Sequence, residues 1–256
     1  MNQEMVTGMV LSAMPIGDYD KRLVILTKER GRISAFAKGA RKANSALLAC
    51  SQPFSFGTFM LYQGRSSYTV NSADIQNYFE DLRKDLVKVT YGMYFCELAT
   101  FLTYENVEAT GILKLLYQSL RALEHKKIPD QLIRCIFEIK ALDLNGETPH
   151  VFACVKCGKK TEANEEYIRG FSSKMGGLLC RECEGMAKDL LRLSEAAVYT
   201  LQYIVSSPVE KLYTFLLKEE CLEEVKQLAE QYMSCYADGT FHSLEMLTLL
   251  LDGTNI

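Results

Sequence analysis

Long apolar runs, clustered histidines and phosphate-binding loops are all missing from these 256 residues, and each absence narrows the range of functions. No stretch approaches the ~18–20 apolar residues that a bilayer-spanning helix needs. The opening residues Met1-Asn2-Gln3-Glu4-Met5 offer neither a basic segment nor an apolar run, so no secretory signal is expected. Neither a G-x-x-x-x-G-K-S/T phosphate loop nor a G-x-G-x-x-G following a strand occurs, which removes the usual routes to nucleotide hydrolysis and dinucleotide binding. Only three histidines are present: His125, His150 and His242. They lie far apart, none supplies the H-x-E of a zinc deaminase, and general acid–base catalysis has no obvious agent. The expectation is a binding protein rather than an enzyme. Internal repeats and low-complexity segments are also absent, and a hydrophobic content of 48% argues against disorder.

What is present begins with cysteine. Cys154-Val-Lys-Cys157 and Cys180-Arg-Glu-Cys183 form a C-x2-C-x22-C-x2-C pattern. A two-residue gap lets two thiolates hold one metal from a single turn, and two such turns complete a tetrahedral shell. Four sulfurs leave no open position for water or substrate, so Cys154, Cys157, Cys180 and Cys183 are expected to hold one structural zinc ion. Gly158 after the first pair and Gly176-Gly177 before the second ease the tight backbone. The other five cysteines (Cys50, Cys96, Cys135, Cys221, Cys235) sit in apolar sequence and read as buried thiols. Nine cysteines, an odd number, together with a thiolate site, fit the reducing cytoplasm better than a secreted disulfide framework.

The net charge of −3 does not by itself suggest a nucleic-acid partner, but its distribution does. Residues 1–80 carry a net +3 and the remainder −6. Within residues 21–42 stand eight cations, Lys21, Arg22, Lys28, Arg30, Arg32, Lys38, Arg41 and Lys42, against the single acid Glu29. A one-signed patch on an acidic chain is the footprint of a polyanion site.

The length allows two domains. Strand signals run through Met5–Met14, Arg22–Thr27, Ile33–Ala37, Phe54–Tyr62 and Ser67–Ser72, with turn residues between them. Five short strands suggest a small, closed or nearly closed barrel. An OB-type barrel suits their number and length, and spacing alone leaves an SH3-like one open. From about Phe79 the period becomes helical. Val107, Ile112, Leu115, Leu116 and Leu123 form one stripe, and Leu190, Leu193, Ala197, Leu201 and Ile204 another; Cys221–Tyr236 and Leu244–Leu251 read as further helices. Asn145-Gly146 and Pro149 end a helix begun near Pro129 and lead into the first cysteine pair. The fold class is therefore α+β: an N-terminal barrel (1–79), then a helical domain (80–256) into which a zinc segment (about 150–185) is inserted, clamping a β-hairpin onto the bundle. Tyr19, Phe36 and Tyr68 either stack bases on the outer barrel face or fill its core. Lys156, Lys159, Lys160 and Arg181 either extend the nucleic-acid surface or are solvated hairpin residues.

This combination resembles the bacterial recombination mediator family RecO over essentially the whole chain. The sharpest local likeness is Gly31-Arg32-Ile33-Ser34-Ala35-Phe36-Ala37-Lys38-Gly39-Ala40-Arg41-Lys42. Tyr19-Asp20-Lys21-Arg22-Leu23-Val24 upstream, and Gln52-Pro53-Phe54 with Gly57-Thr58-Phe59-Met60-Leu61-Tyr62 downstream, stand where the family's neighbouring strands lie. The cysteine quartet matches its zinc-bearing members. The resemblance implies a non-enzymatic, cytoplasmic and nucleoid-associated mediator of homologous recombination and gap repair. It would bind single- and double-stranded DNA, anneal complementary strands, contact RecR and the C-terminal tail of SSB, and so help load RecA, with no membrane partner. Two other readings stay open: a zinc-ribbon, OB-containing factor acting in transcription or on RNA, and a thiol-redox or metal-dependent enzyme.

Overall fold

The computed structural model describes residues 3–65, 67–125, 127–160 and 169–253, so residues 161–168 of the expected zinc segment lie outside it. Strands β1 (Gln3–Ile16), β2 (Asp20–Thr27), β3 (Gly31–Ala37), β4 (Phe56–Gln63) and β5 (Tyr68–Asn77) close into a barrel in the order β1-β2-β3-β5-β4. All neighbours pair antiparallel except β3 and β5, which meet in parallel at Ala35–Tyr68 and Phe36–Thr69. This is the OB-type arrangement, with a one-turn helix α1 (Leu47–Cys50) between β3 and β4.

Alternation decides what faces in. Along β3, Ile33, Ala35 and Ala37 are buried, and Arg32, Ser34 and Phe36 alternate with them outside. The barrel core gathers Val6, Val10, Leu23, Ile25, Ile33, Phe59, Leu61, Tyr68 and Val70. In β4 the alternating set Phe56, Thr58, Met60 and Tyr62 lines the outer face, and Gly57, Phe59 and Leu61 point inward. Phe54 stands outside the strand, buried at a φ of 69°.

Packing divides the chain into two compact units, Met1–Glu124 with Phe241–Ile256, and His125–Thr240. In the first, the barrel shares its unit with helices α2 (Leu86–Leu102), α3 (Thr110–Glu124) and α7 (His242–Gly253). The Asp85 carboxylate starts α2 by accepting from the amides of Val87 and Lys88 at 3.0 and 3.2 Å. α2 is buried on most sides and so carries no apolar stripe in its sequence, which is why periodicity does not mark it. α3 buries Ile112, Leu115, Leu116 and Leu123 as the stripe predicts, whereas Val107 precedes the helix and is exposed. α7 packs on α2, its start held by Glu97, which accepts from the Ser243 amide at 3.1 Å and hydroxyl at 2.9 Å.

The second unit contains α4 (Asp130–Leu144), α5 (Glu195–Ser206), α6 (Glu219–Tyr236) and a small sheet of β6 (Gly170–Ser172), β7 (Gly177–Leu179) and β8 (Leu190–Arg192) in the order β7-β6-β8. Leu190 thus belongs to a strand and Leu193 to the loop before α5, although both fit the helical stripe. Arg134 on α4 pairs with Glu138 at 2.8 Å and reaches Glu230 on α6 at 3.6 Å. Phe171 of β6 packs edge-on against Tyr232 of α6, with ring centroids 5.9 Å apart, and thereby seats the hairpin on the helices. Among the described residues, no helix is long and apolar enough to cross a membrane.

One close approach fixes the barrel's orientation on its own helices. Gly31, at a φ of 63°, opens β3 where a Cβ would stand 2.3 Å from the Tyr104 carbonyl oxygen and 2.4 Å from that of Val107. The Arg32 amide donates to the Tyr104 carbonyl at 3.1 Å, and the Asn106 amide to that of Arg30 at 2.9 Å. Gly31→Ala should therefore lose about 1–3 kcal/mol from the backbone conformation alone, with the clash added. Gly17→Ala, also at positive φ (55°) but facing open space, should lose less. Urea denaturation of both variants checks this ordering.

Candidate nucleic-acid interface and metal centre

β2 and β3 form an antiparallel hairpin in which Lys21 lies opposite Ala37 and Thr27 opposite Gly31. The eight cations are therefore distributed between two ends roughly 20 Å apart, at about 3.3 Å per strand residue. At the hairpin turn are Lys28, Arg30 and Arg32. Arg30 pairs with Glu4 at 2.7 Å, and Arg32 donates from Nε to the Thr103 carbonyl at 2.8 Å. Glu29 accepts from the Thr7 amide at 2.9 Å, so this end contains acids and structural contacts among its cations, with Lys28 exposed.

The opposite end is different. Arg22, Lys38, Arg41 and Lys42 are all exposed there. Lys21 is half-buried; burial lowers its pKa, and its Nζ donates to the Ser51 carbonyl at 3.0 Å, tying β2 to the end of α1. Two loops meet at this tip. The Arg41 amide donates to the Tyr19 carbonyl at 2.9 Å, the Arg41 guanidinium to that of Gly17 at 3.1 Å, and the Gly39 amide to Asp20 Oδ1 at 2.7 Å. Of the acids in the β1–β2 turn, Asp20 is so engaged and Asp18 is exposed. Exposed cations gathered in this way can attract phosphates with little regard to sequence.

The three aromatics separate cleanly. Tyr68 is core, 4% exposed. Phe36 faces outward and half-buried, opposite Arg22 in the β2–β3 register. Tyr19 is 56% exposed, and Lys42 Nζ lies 5.3 Å from its ring centroid. The Tyr19–Lys42 pairing and the Asp20 clamp escape a sequence reading because about twenty residues of chain separate the partners.

In the second unit, the sulfurs of Cys154, Cys157, Cys180 and Cys183 lie within 4.8 Å of one another, with Cys157 exposed and the others buried. Each pair sits on a tight turn. The Gly158 amide donates to the Cys154 carbonyl at 2.8 Å with Gly158 at a φ of 75°, and the Cys183 amide donates to that of Cys180 at 2.8 Å. The Val155 amide bonds the Leu178 carbonyl at 2.8 Å, fastening the first turn to β7. Cys157 and Cys180 are 3.7 Å apart, close to the edge of about 3.8 Å that a tetrahedron with 2.3 Å metal–sulfur bonds requires. Burial opposes ionisation of Cys154, yet the amides of Cys180, Cys157 and Lys156 bring its thiol down to about 6. Cys183, hydrogen-bonded to Cys180 and desolvated, is pushed up to about 12. Backbone amides thus favour the thiolate of Cys154. The cluster could hold a metal ion. Lys156, Lys159, Lys160 and Arg181 are exposed around it. Of the remaining cysteines, Cys50, Cys96, Cys135 and Cys221 are buried as expected; Cys235 is exposed, because it falls on the outer face of α6.

The model of the family described as Recombination protein O N terminal matches residues 1–79, and that of Recombination protein O C terminal matches residues 83–245. The chain belongs to the recombination protein O (RecO) family. It is 35% identical over 240 residues to the DNA repair protein RecO of Alkaliphilus metalliredigens, covering 93% of this chain and 96% of that one. To the DNA repair protein RecO of Acetivibrio thermocellus it is 34% identical over 251 residues, covering 98% of each. A relative of the same name from Bacillus pumilus is 32% identical over 254 residues and covers 97% of each chain.

For this RecO-family chain, the cysteine cluster should take up one cobalt(II) ion per chain and show the sulfur-to-cobalt absorption band of a four-thiolate tetrahedral site. Cys180→Ser should weaken that uptake and lower the thermal midpoint. An ion that binds equally well without Cys180 would show that the four sulfurs are not its ligands.

Proposed function

We propose that this chain is a DNA-binding mediator of recombination and repair that works without catalysis of its own. The observation that supports it best is the barrel tip, where Arg22, Lys38, Arg41 and Lys42 are exposed around Tyr19 on an OB-type barrel of a RecO-family chain. In this reading the barrel, residues 1–79, binds single- and double-stranded DNA through phosphate contacts. Lys21, Arg30 and Arg32 shape the surface from behind, and Lys28 meets DNA that runs on along the hairpin. Neutralising phosphates releases counterions, so binding falls steeply with salt. Holding two strands close while screening their repulsion favours annealing.

The helical region, residues 80–256, takes the protein-binding work: RecR, the C-terminal tail of SSB and, through them, RecA loading in the nucleoid. Zinc is the ion proposed for Cys154, Cys157, Cys180 and Cys183. It would close a shell of four sulfurs and supply folding energy, on the order of 10 kcal/mol, rather than reactivity.

Annealing of complementary oligonucleotides, naked and SSB-coated, tests the proposal. Wild type should accelerate it. A Lys38→Glu/Arg41→Glu/Lys42→Glu variant should lose most of the acceleration, and its binding should show a salt slope smaller by about 3. Folded, metal-loaded wild type that gives no acceleration would sink the annealing role and direct attention to RNA and transcription partners.

A further inference from the structure

The tip also bears on which form of DNA it prefers, a question that rests on the DNA-binding reading above. Duplex and single strands present the same phosphates, and exposed cations alone discriminate weakly between them. What differs is access to base faces, which are covered in a duplex and open in a single strand.

We infer that Tyr19 is a base-stacking platform, and that this one side chain gives the barrel tip a preference for unpaired nucleotides. Exposure alone would not make the case, since isolated exposed aromatics are common. Three further observations do. The backbone carrying the ring is fixed on both sides: its carbonyl receives the Arg41 amide, and neighbouring Asp20 receives that of Gly39. An aromatic platform held in advance loses little conformational entropy when a base settles on it. Next, Lys42 Nζ stands over the ring at 5.3 Å, which occupies one face with a cation and leaves a stacked base within reach of a charge that can meet its phosphate. Finally, the other two candidates lack this position: Tyr68 is enclosed by the barrel core, and Phe36 is half-buried in the β3 face. Phe36 beside Arg22 offers a lesser surface onto which the strand continues.

The test compares three labelled probes by fluorescence anisotropy at fixed salt: oligothymidine, an abasic oligomer of equal length and a duplex. Tyr19 is exposed, so Tyr19→Ala and Tyr19→Phe should unfold at the wild-type temperature. Tyr19→Ala should weaken oligothymidine binding roughly tenfold. It should leave abasic and duplex binding unchanged and keep the wild-type salt slope, while Tyr19→Phe behaves as wild type. Three results would overturn the assignment: oligothymidine binding untouched by Tyr19→Ala, an equal loss on all three probes, or a loss in Tyr19→Phe as large as in Tyr19→Ala, which would credit the hydroxyl. Wild type that binds none of the probes would overturn the DNA-binding reading itself, a failure separate from these.

Discussion

Closure of the barrel by the short parallel pairing of β3 with β5 is the constraint on which the rest of the barrel surface depends. Once Ala35 and Phe36 pair with Tyr68 and Thr69, the sheet has no free edge, and every strand residue is assigned to the inside or the outside. Ile33, Ala35 and Ala37 then fill the core, and Phe36 is obliged to face out beside Arg22. A shift of one residue in β3 would exchange these sets, burying Arg32 and exposing Ile33, an outcome that burial energies forbid. The register is therefore held by the hydrophobic side chains, and the charged ones follow it.

The same closure makes the basic stretch less uniform than its composition. Cations that are continuous in sequence are separated by the length of a hairpin, and their surroundings differ. A half-buried pair such as Arg30–Glu4 adds little to stability, but it cancels charge where it stands. Arg32 is committed to a backbone carbonyl of the α2–α3 linker, and Lys21 to one at the end of α1. The tip keeps its charge because its hydrogen bonds are made largely by backbone groups, which leaves Lys38 exposed and the Lys42 ammonium over the Tyr19 ring. Arg41 does both, holding the Gly17 carbonyl while remaining exposed.

In the second unit a different device does the organising. Its sheet strands are three residues long, too short to be stable alone, and they lean on α6 through Phe171 and on the cysteine turns through the Val155–Leu178 hydrogen bond. Four thiols drawn this close would repel one another once ionised, so a cation held there would stabilise the hairpin and be stabilised by it.

The cysteine pattern, the barrel strands and the later helices were legible in the chain because each is written in local spacing: two residues between thiols, alternation along strands, a 3.6-residue stripe along helices. α2 was not, since a helix surrounded by core carries no stripe, and the Asp85 cap was the available clue. Leu190 misled for the opposite reason, falling by chance on a helical repeat while belonging to a strand. By itself the sequence determined which residues are charged, which are apolar and which thiols come in pairs. Only the tertiary structure decided that Tyr68 is core and Tyr19 is surface, that Gly31 must be glycine, and which cations stay exposed. Those outcomes depend on contacts between residues distant in the chain, and no local period records them.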